Sequence, residues 1–283
     1  MVWKMWAVVA VPVVLIGGWF LLVALRRRRR AARRREVLNR PFPPAWVEIL
    51  KRNVKLYDLL ADELRRELRE HVQIFLDEKQ FVGCAGLEIT DEIRVTVAAQ
   101  ACVLLLGREA RYYPRLSTIY VYPGAYVADN ARAAGGGGMI VEDQVRLGES
   151  WQGGPLVLSW DDVQHGAGDV RDGHNVVLHE FAHKLDQEDG DADGAPVLER
   201  RSSYVSWARV LSEEYDELRE RATFGGRTVL DKYGATNPAE FFAVLAEAYF
   251  EKPRQLMKKH PELYEQAKGF FKVDPLEWRR NPD

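Results

Sequence analysis

The sequence predicts an α+β fold, a small mixed sheet set among a larger number of helices, preceded by an N-terminal transmembrane helix. Three observations carry that reading. Apolar residues recur at threes and fours through Leu56–Leu76 and again through Tyr204–Arg221, whereas Thr118–Tyr122 is a β-branched and aromatic run suited to a strand. Met5–Leu25 holds 21 residues without a charge. His179-Glu180-Phe181-Ala182-His183 sets two imidazoles one helical turn apart, with a carboxylate beside the first. With 47% hydrophobic residues, a chain of 283 can bury one large core or two small ones.

Met5–Leu25 as a helix spans about 32 Å at ~1.5 Å per residue, enough to cross a hydrocarbon layer of ~30 Å. Trp3 and Trp6 suit one membrane interface, and Pro12 and Gly17-Gly18 are tolerated in such helices. A cleaved signal peptide would carry its positive charge ahead of the apolar run; here eight arginines, Arg26–Arg30 and Arg33–Arg35, follow it. The positive-inside rule keeps those arginines cytoplasmic. The expectation is a single-pass protein of the cytoplasmic (inner) membrane, with residues 1–40 as anchor and basic juxtamembrane segment and residues 41–283 as a cytosolic domain. The arginines also suit anionic lipid headgroups.

Charge is divided unevenly. Ten Lys and Arg against Glu36 alone give residues 1–40 a charge of +9, which leaves −11 on the remainder of a chain whose net charge is −2. An acidic body argues against a nucleic-acid partner, because phosphate binding needs clustered positive charge. Cys84 and Cys102, in apolar surroundings, form neither a disulfide framework nor a CxxC site and read as buried thiols.

Pro41-Phe42-Pro43-Pro44 marks the domain boundary, and Val47–Lys79 reads as one or two amphipathic helices. Gly83 and Gly86 interrupt it. Thr90-Asp91-Glu92 then caps a core helix running from Ile93 to about Leu106. Thr118–Tyr122 is a strand ended by Pro123-Gly124, with Ala125–Val127 as a resumption, and Gly135–Gly138 is a loop. Val141–Leu147 and Pro155–Trp160 are further strands, one of which could pair with an extended peptide. Asp189–Gly194 mimics the start of a calcium loop, but its twelfth position is Arg200, so it reads as an acidic turn. After the amphipathic Tyr204–Arg221 helix, Phe224-Gly225-Gly226 is a turn, and Pro253 and Pro261 punctuate a helical C-terminus.

The motif itself predicts a metal-dependent hydrolase. Imidazoles at i and i+4 can share one zinc ion at ~2.0–2.1 Å per nitrogen, and Glu180 is placed as general base for the water that such an ion activates. Asp172-Gly173 would supply a turn or an N-terminal cap, and Val176, Val177, Leu178, Phe181 and Leu185 the apolar helix faces. A hydrolytic zinc needs a third protein ligand. The long pattern H-E-x-x-H-x-x-G-x-x-H fails, because Asp186 and Asp189 stand at its glycine and last histidine. Glu240 is the best source: Asn237 caps, Pro238 opens, and Phe241, Phe242, Val244, Leu245, Ala246 and Ala248 bury the helix that carries it. Glu247, on the same face, is the alternative; Asp186 and Asp189 are weaker ones, and Asp186 could instead accept a ring N–H from a ligand.

His179-Glu-Phe-Ala-His-Lys-Leu-Asp186, together with Tyr233-Gly-x-x-Asn-Pro-x-Glu240-Phe-Phe-Ala, resembles the Mlc titration factor A family of zinc peptidases. Phe75-Leu-Asp-Glu-Lys, Gly86-Leu-Glu-Ile-Thr-Asp-Glu, Tyr122-Pro-Gly and Leu158-Ser-Trp-Asp-Asp extend the likeness over roughly residues 45–270. The resemblance implies a zincin-like domain of gluzincin type, related in its catalytic core to the anthrax lethal factor protease. It implies zinc held by His179, His183 and Glu240, Glu180 as base, Tyr233 beside the metal, and aminopeptidase action on a peptide or protein substrate. It also implies a second role, a membrane-tethered regulatory protein that sequesters a transcriptional repressor. The membrane segment is a departure, since the family's best-known members are soluble cytosolic proteins.

Overall fold

The computed structural model describes residues 2–124 and 154–278, with side chains from Gly17 onward. The chain divides into two compact units, Met1–Pro41 and Phe42–Asp283. The first is one helix, α1, Val2–Leu38. Among the described residues no helix is long and apolar enough to cross a membrane. Of the span expected at Met5–Leu25, the side chains of residues 5–16 lie outside the described set.

The second unit opens with α2 (Pro44–Asn53), α3 (Lys55–Leu59) and α4 (Asp62–Glu78), where the sequence suggests one or two helices. Val54 and Leu60 leave helical geometry, yet both side chains stay buried. The chain therefore turns twice without interrupting its apolar period, which hides the breaks from a pattern reading. α4 buries Leu68, Val72, Phe75 and Leu76, the stripe its spacing predicts.

Lys79 leads into β1 (Gln80–Gly83), a strand too short to announce itself by alternation. α5 (Asp91–Val103) follows, capped as expected by Thr90, whose hydroxyl accepts the Ile93 N–H at 3.4 Å. β2 is Thr118–Tyr122 and β3 is Leu156–Ser159, both where strands are expected. The helix Trp160–Gly168 takes the last residue of the expected Pro155–Trp160 strand, because the Ser159 hydroxyl accepts the Asp162 N–H and starts a helix there.

The strands lie in the order β1-β2-β3, with Gln80 opposite Thr118 and Ile119 opposite Leu156. Every described pairing is parallel rather than mixed. A parallel pair needs a crossover, and α5 supplies the one between β1 and β2. The strands expected at Ala125–Val127 and Val141–Leu147 and the Gly135–Gly138 loop lie outside the described residues.

The motif helix, Val176–Asp186, packs against α5 and β3. Phe181 anchors it: its ring lies 5.7 Å from that of Phe75 and 4.7 Å from that of Tyr113, and it is fully buried. The long helix Ser203–Phe224 and a 3-10 turn, Lys232–Ala235, precede the buried helix Pro238–Glu251. Three short helices, Pro253–Lys259, Pro261–Phe271 and Pro275–Trp278, each open on a proline, which suits a first-turn position where no N–H is needed. Phe242, Tyr249 and Phe250 pack on Phe270 and Phe271, so the Pro238–Glu251 helix is fixed from behind.

Candidate metal centre

Asn175 caps the motif helix, and Asp172-Gly173 supplies the turn before it, the first of the two roles expected there. The fully buried Asn175 side chain accepts the N–H groups of Val177 and Leu178 at 3.1 and 3.0 Å. Asp172 instead accepts the His174 N–H at 3.0 Å, two residues on. An asparagine immediately before an apolar run is itself a cap signal, so this residue was legible. Asn175 also donates its amide to Gly166 O and Glu251 Oε1, and its backbone N–H to Glu247 Oε1 at 3.1 Å. The start of the motif helix is thereby tied to the far end of the Pro238–Glu251 helix.

From that frame His179, His183 and Glu240 converge. His179 Nε2 lies 3.2 Å from His183 Nε2, and Glu240 Oε2 lies 3.0 Å from the first and 3.3 Å from the second. A tetrahedral ion with bonds of ~2.0–2.1 Å has donor–donor edges of roughly 3.3 Å. The three atoms thus form a triangle of the size of one face of a zinc site, and they include the nitrogen and carboxylate donors that zinc takes. Their side chains are only 15–18% exposed.

Asn237 sets Glu240 in place by accepting the Glu240 N–H at 3.0 Å, with Pro238 opening the helix, as the sequence indicates. The acidic turn supplies a second constraint. Asp186 Oδ2 accepts the Gly194 N–H at 2.9 Å, and a Cβ on Gly194 would fall 2.4 Å from Pro238 O. Gly194, at φ +78°, therefore lets the end of the motif helix and the start of the Glu240 helix approach each other.

Glu247 goes elsewhere: its Oε1 faces His179 Nδ1 at 3.6 Å, on the opposite side of the ring from Glu240. Asp186 is buried and held by Gly194 rather than joining the cluster, and burial pushes its carboxyl up to about 6. Asp189 is exposed and accepts the Asp191 N–H. Glu180 is half-buried, one residue beyond His179. Tyr233 is 56% exposed on the 3-10 turn, with its ring 6.0 Å from that of His179.

The groups around His179 and Glu240 favour the charged form of each. Burial works to lower the His179 imidazole, but the Glu240 carboxylate at hydrogen-bond distance and the nearby Glu247 carboxylate overcome this and push it up to about 10. Burial works to raise Glu240, yet His179 and His183 hold it down at about 2. Among the described residues one other donor group gathers, Glu214, Glu217 and His260. Its members are engaged in ion pairs, His260 with Glu214 and Glu217 with Arg221, each at 2.6 Å.

Residues 26–272 match the glucose-regulated metallo-peptidase M90 family. The chain belongs to that family. The M90 match starts within the arginine run and covers nearly all of the body. The chain is 42% identical over 242 residues to an uncharacterized protein of Synechocystis sp., covering 85% of this chain and 88% of the relative. It is 31% identical over 224 residues to Mlc titration factor A of Klebsiella pneumoniae, covering 78% and 83%. Against Mlc titration factor A of Escherichia fergusonii the identity is 31% over 242 residues, covering 84% and 89%. A metallopeptidase family implies a metal, and among the described residues the donor triangle is a candidate to hold one.

Proposed function

We propose that this M90 member is a zinc-dependent peptidase of aminopeptidase type, anchored in the cytoplasmic membrane with its body in the cytosol. His179, His183 and Glu240 hold the zinc. The donor triangle of 3.0–3.3 Å edges is the observation that carries the reading. Bound zinc supplies a Lewis acid and brings the pKa of water toward ~7. Glu180 takes the proton of the attacking water and returns it to the departing amine. The Tyr233 hydroxyl donates to the carbonyl oxygen of the scissile bond as that oxygen gains negative charge. The aminopeptidase assignment comes from the family resemblance.

The test is hydrolysis of aminoacyl p-nitroanilides by the full chain in detergent. Activity removed by chelation and restored by zinc supports the enzyme; activity indifferent to chelation contradicts it.

A second reading has its own support, the name Mlc titration factor A carried by relatives. In that reading the chain sequesters a transcriptional regulator at the membrane, and hydrolysis is incidental. Capture of a defined repressor by a Glu180→Gln variant with full affinity supports it.

The anchor rests on charge and exposure. Trp19, Phe20, Leu21 and Leu22 on α1 are 64, 68, 61 and 55% exposed, apolar surface that a bilayer would cover, and the exposed Arg26–Arg30 follow. Release of the protein from membranes by carbonate or high salt would contradict it.

A further inference from the structure

We propose that Asp231 is a positioning residue for Tyr233, joining the 3-10 turn that carries the tyrosine to His174 at the entry of the motif helix. The inference rests on the peptidase reading above, in which Tyr233 acts on the scissile carbonyl.

Tyr233 is largely exposed, so its phenol is not fixed by a surrounding core, and its ring nonetheless lies 6.0 Å from that of His179. The backbone of the turn contributes to that position. Asp231 Oδ1 accepts the Tyr233 N–H at 2.6 Å, and the Asp231 carbonyl accepts the Gly234 N–H at 3.1 Å. Both contacts stiffen a turn of only four residues. Gly234 seats that turn on the helices behind it: a Cβ there would meet Leu218, Val244 and Phe241 at 3.2–3.4 Å. The other carboxylate oxygen, Asp231 Oδ2, lies 3.3 Å from His174 Nε2.

His174 immediately precedes Asn175, the cap of the helix that carries His179. One carboxylate therefore holds the tyrosine turn with one oxygen and the entry of the metal-binding helix with the other. Together the two contacts tether the backbone of the tyrosine turn to the entry of the helix that carries His179. A cap that served only the fold of the turn would need the first contact alone; the His174 contact ties the turn to the motif helix.

The test is steady-state kinetics and metal analysis on the full chain in detergent. Asp231→Ala should lower kcat about tenfold, the order expected when a transition-state donor is misplaced, with KM changed less than about twofold and zinc content unchanged. In a Tyr233→Phe background it should add nothing further, since both changes remove the same interaction. Asp231→Asn, which keeps an oxygen for the Tyr233 N–H, should recover part of the loss. An equal loss in the Tyr233→Phe background, or loss of zinc, overturns the proposal. If Asp231→Ala does not fold, Asp231→Asn and His174→Ala carry the same comparison. If the wild-type chain hydrolyses no peptide, the peptidase reading fails separately; the clamp is then read from the Tyr233–His179 ring separation in crystals of the variant, which should widen. An unchanged separation overturns it.

Discussion

Glu247 Oε1 faces His179 Nδ1 at 3.6 Å, while the opposite nitrogen of the same ring points at Glu240. One imidazole is thus bracketed by two acids of a single helix, and the pair fixes which nitrogen is turned to the metal position. A carboxylate behind a ligating histidine orients the ring and raises its basicity. Glu247→Gln keeps the shape and the acceptor for the Asn175 N–H but removes the charge. It should weaken zinc binding by roughly 10- to 100-fold, measured by competition with a fluorescent chelator, while the fold is retained.

Gly194→Ala tests the approach of the two site helices. The new Cβ would meet Pro238 O at 2.4 Å, at a φ of +78° that alanine rarely adopts. The change should cost more than about 1 kcal/mol in denaturant unfolding and weaken zinc binding as well, because Pro238 opens the helix that presents Glu240. A loss of stability with unchanged zinc affinity would uncouple the turn from the site.

Glu251 gives a pH prediction. Burial, the largest cause, pushes its carboxyl from 4.5 up to about 8, although the Asn175 amide works in the other direction. Its folded form binds the proton more tightly than its unfolded form, so its contribution to stability is fully present below pH 4.5. That contribution is lost as pH rises through about 8 and stays lost above it. Glu251→Gln, neutral at every pH, should raise Tm by roughly 5 °C at pH 9 and leave it nearly unchanged at pH 4.5. Calorimetry at the two pH values reads the difference.

Glu180→Gln separates metal binding from chemistry. The amide cannot take a proton from water, so hydrolysis should fall by about 100-fold or more while zinc content stays that of the wild type. Full activity in this variant would end the assignment of Glu180 as base.

Much of the site is legible in the sequence because the spacing of His179 and His183 and the Asn-Pro start before Glu240 are local signals. Glu247 shows where face arguments stop. Seven residues of helix rise about 10.5 Å, so two acids on one face cannot reach the same ring nitrogen; they reach opposite ones instead. Asp231 caps a turn of only four residues, too short to show a period, and its link to His174 is visible only once His174 and Tyr233 are brought to its two oxygens. The helices α4 and α5 and the strands β2 and β3 follow from composition. The breaks at Val54 and Leu60 do not, since both residues stay in phase with the buried stripe. The parallel pairing of β1 with β2 depends on a crossover through α5, which no local window contains.

The most direct test is the zinc content of the full chain purified without chelator, for the wild type and for Glu240→Ala. The account predicts stoichiometric zinc in the wild type and its loss, with the fold intact, when the Glu240 carboxylate is removed. A wild-type chain without stoichiometric metal, or a Glu240→Ala chain that retains it at undiminished affinity, would contradict it.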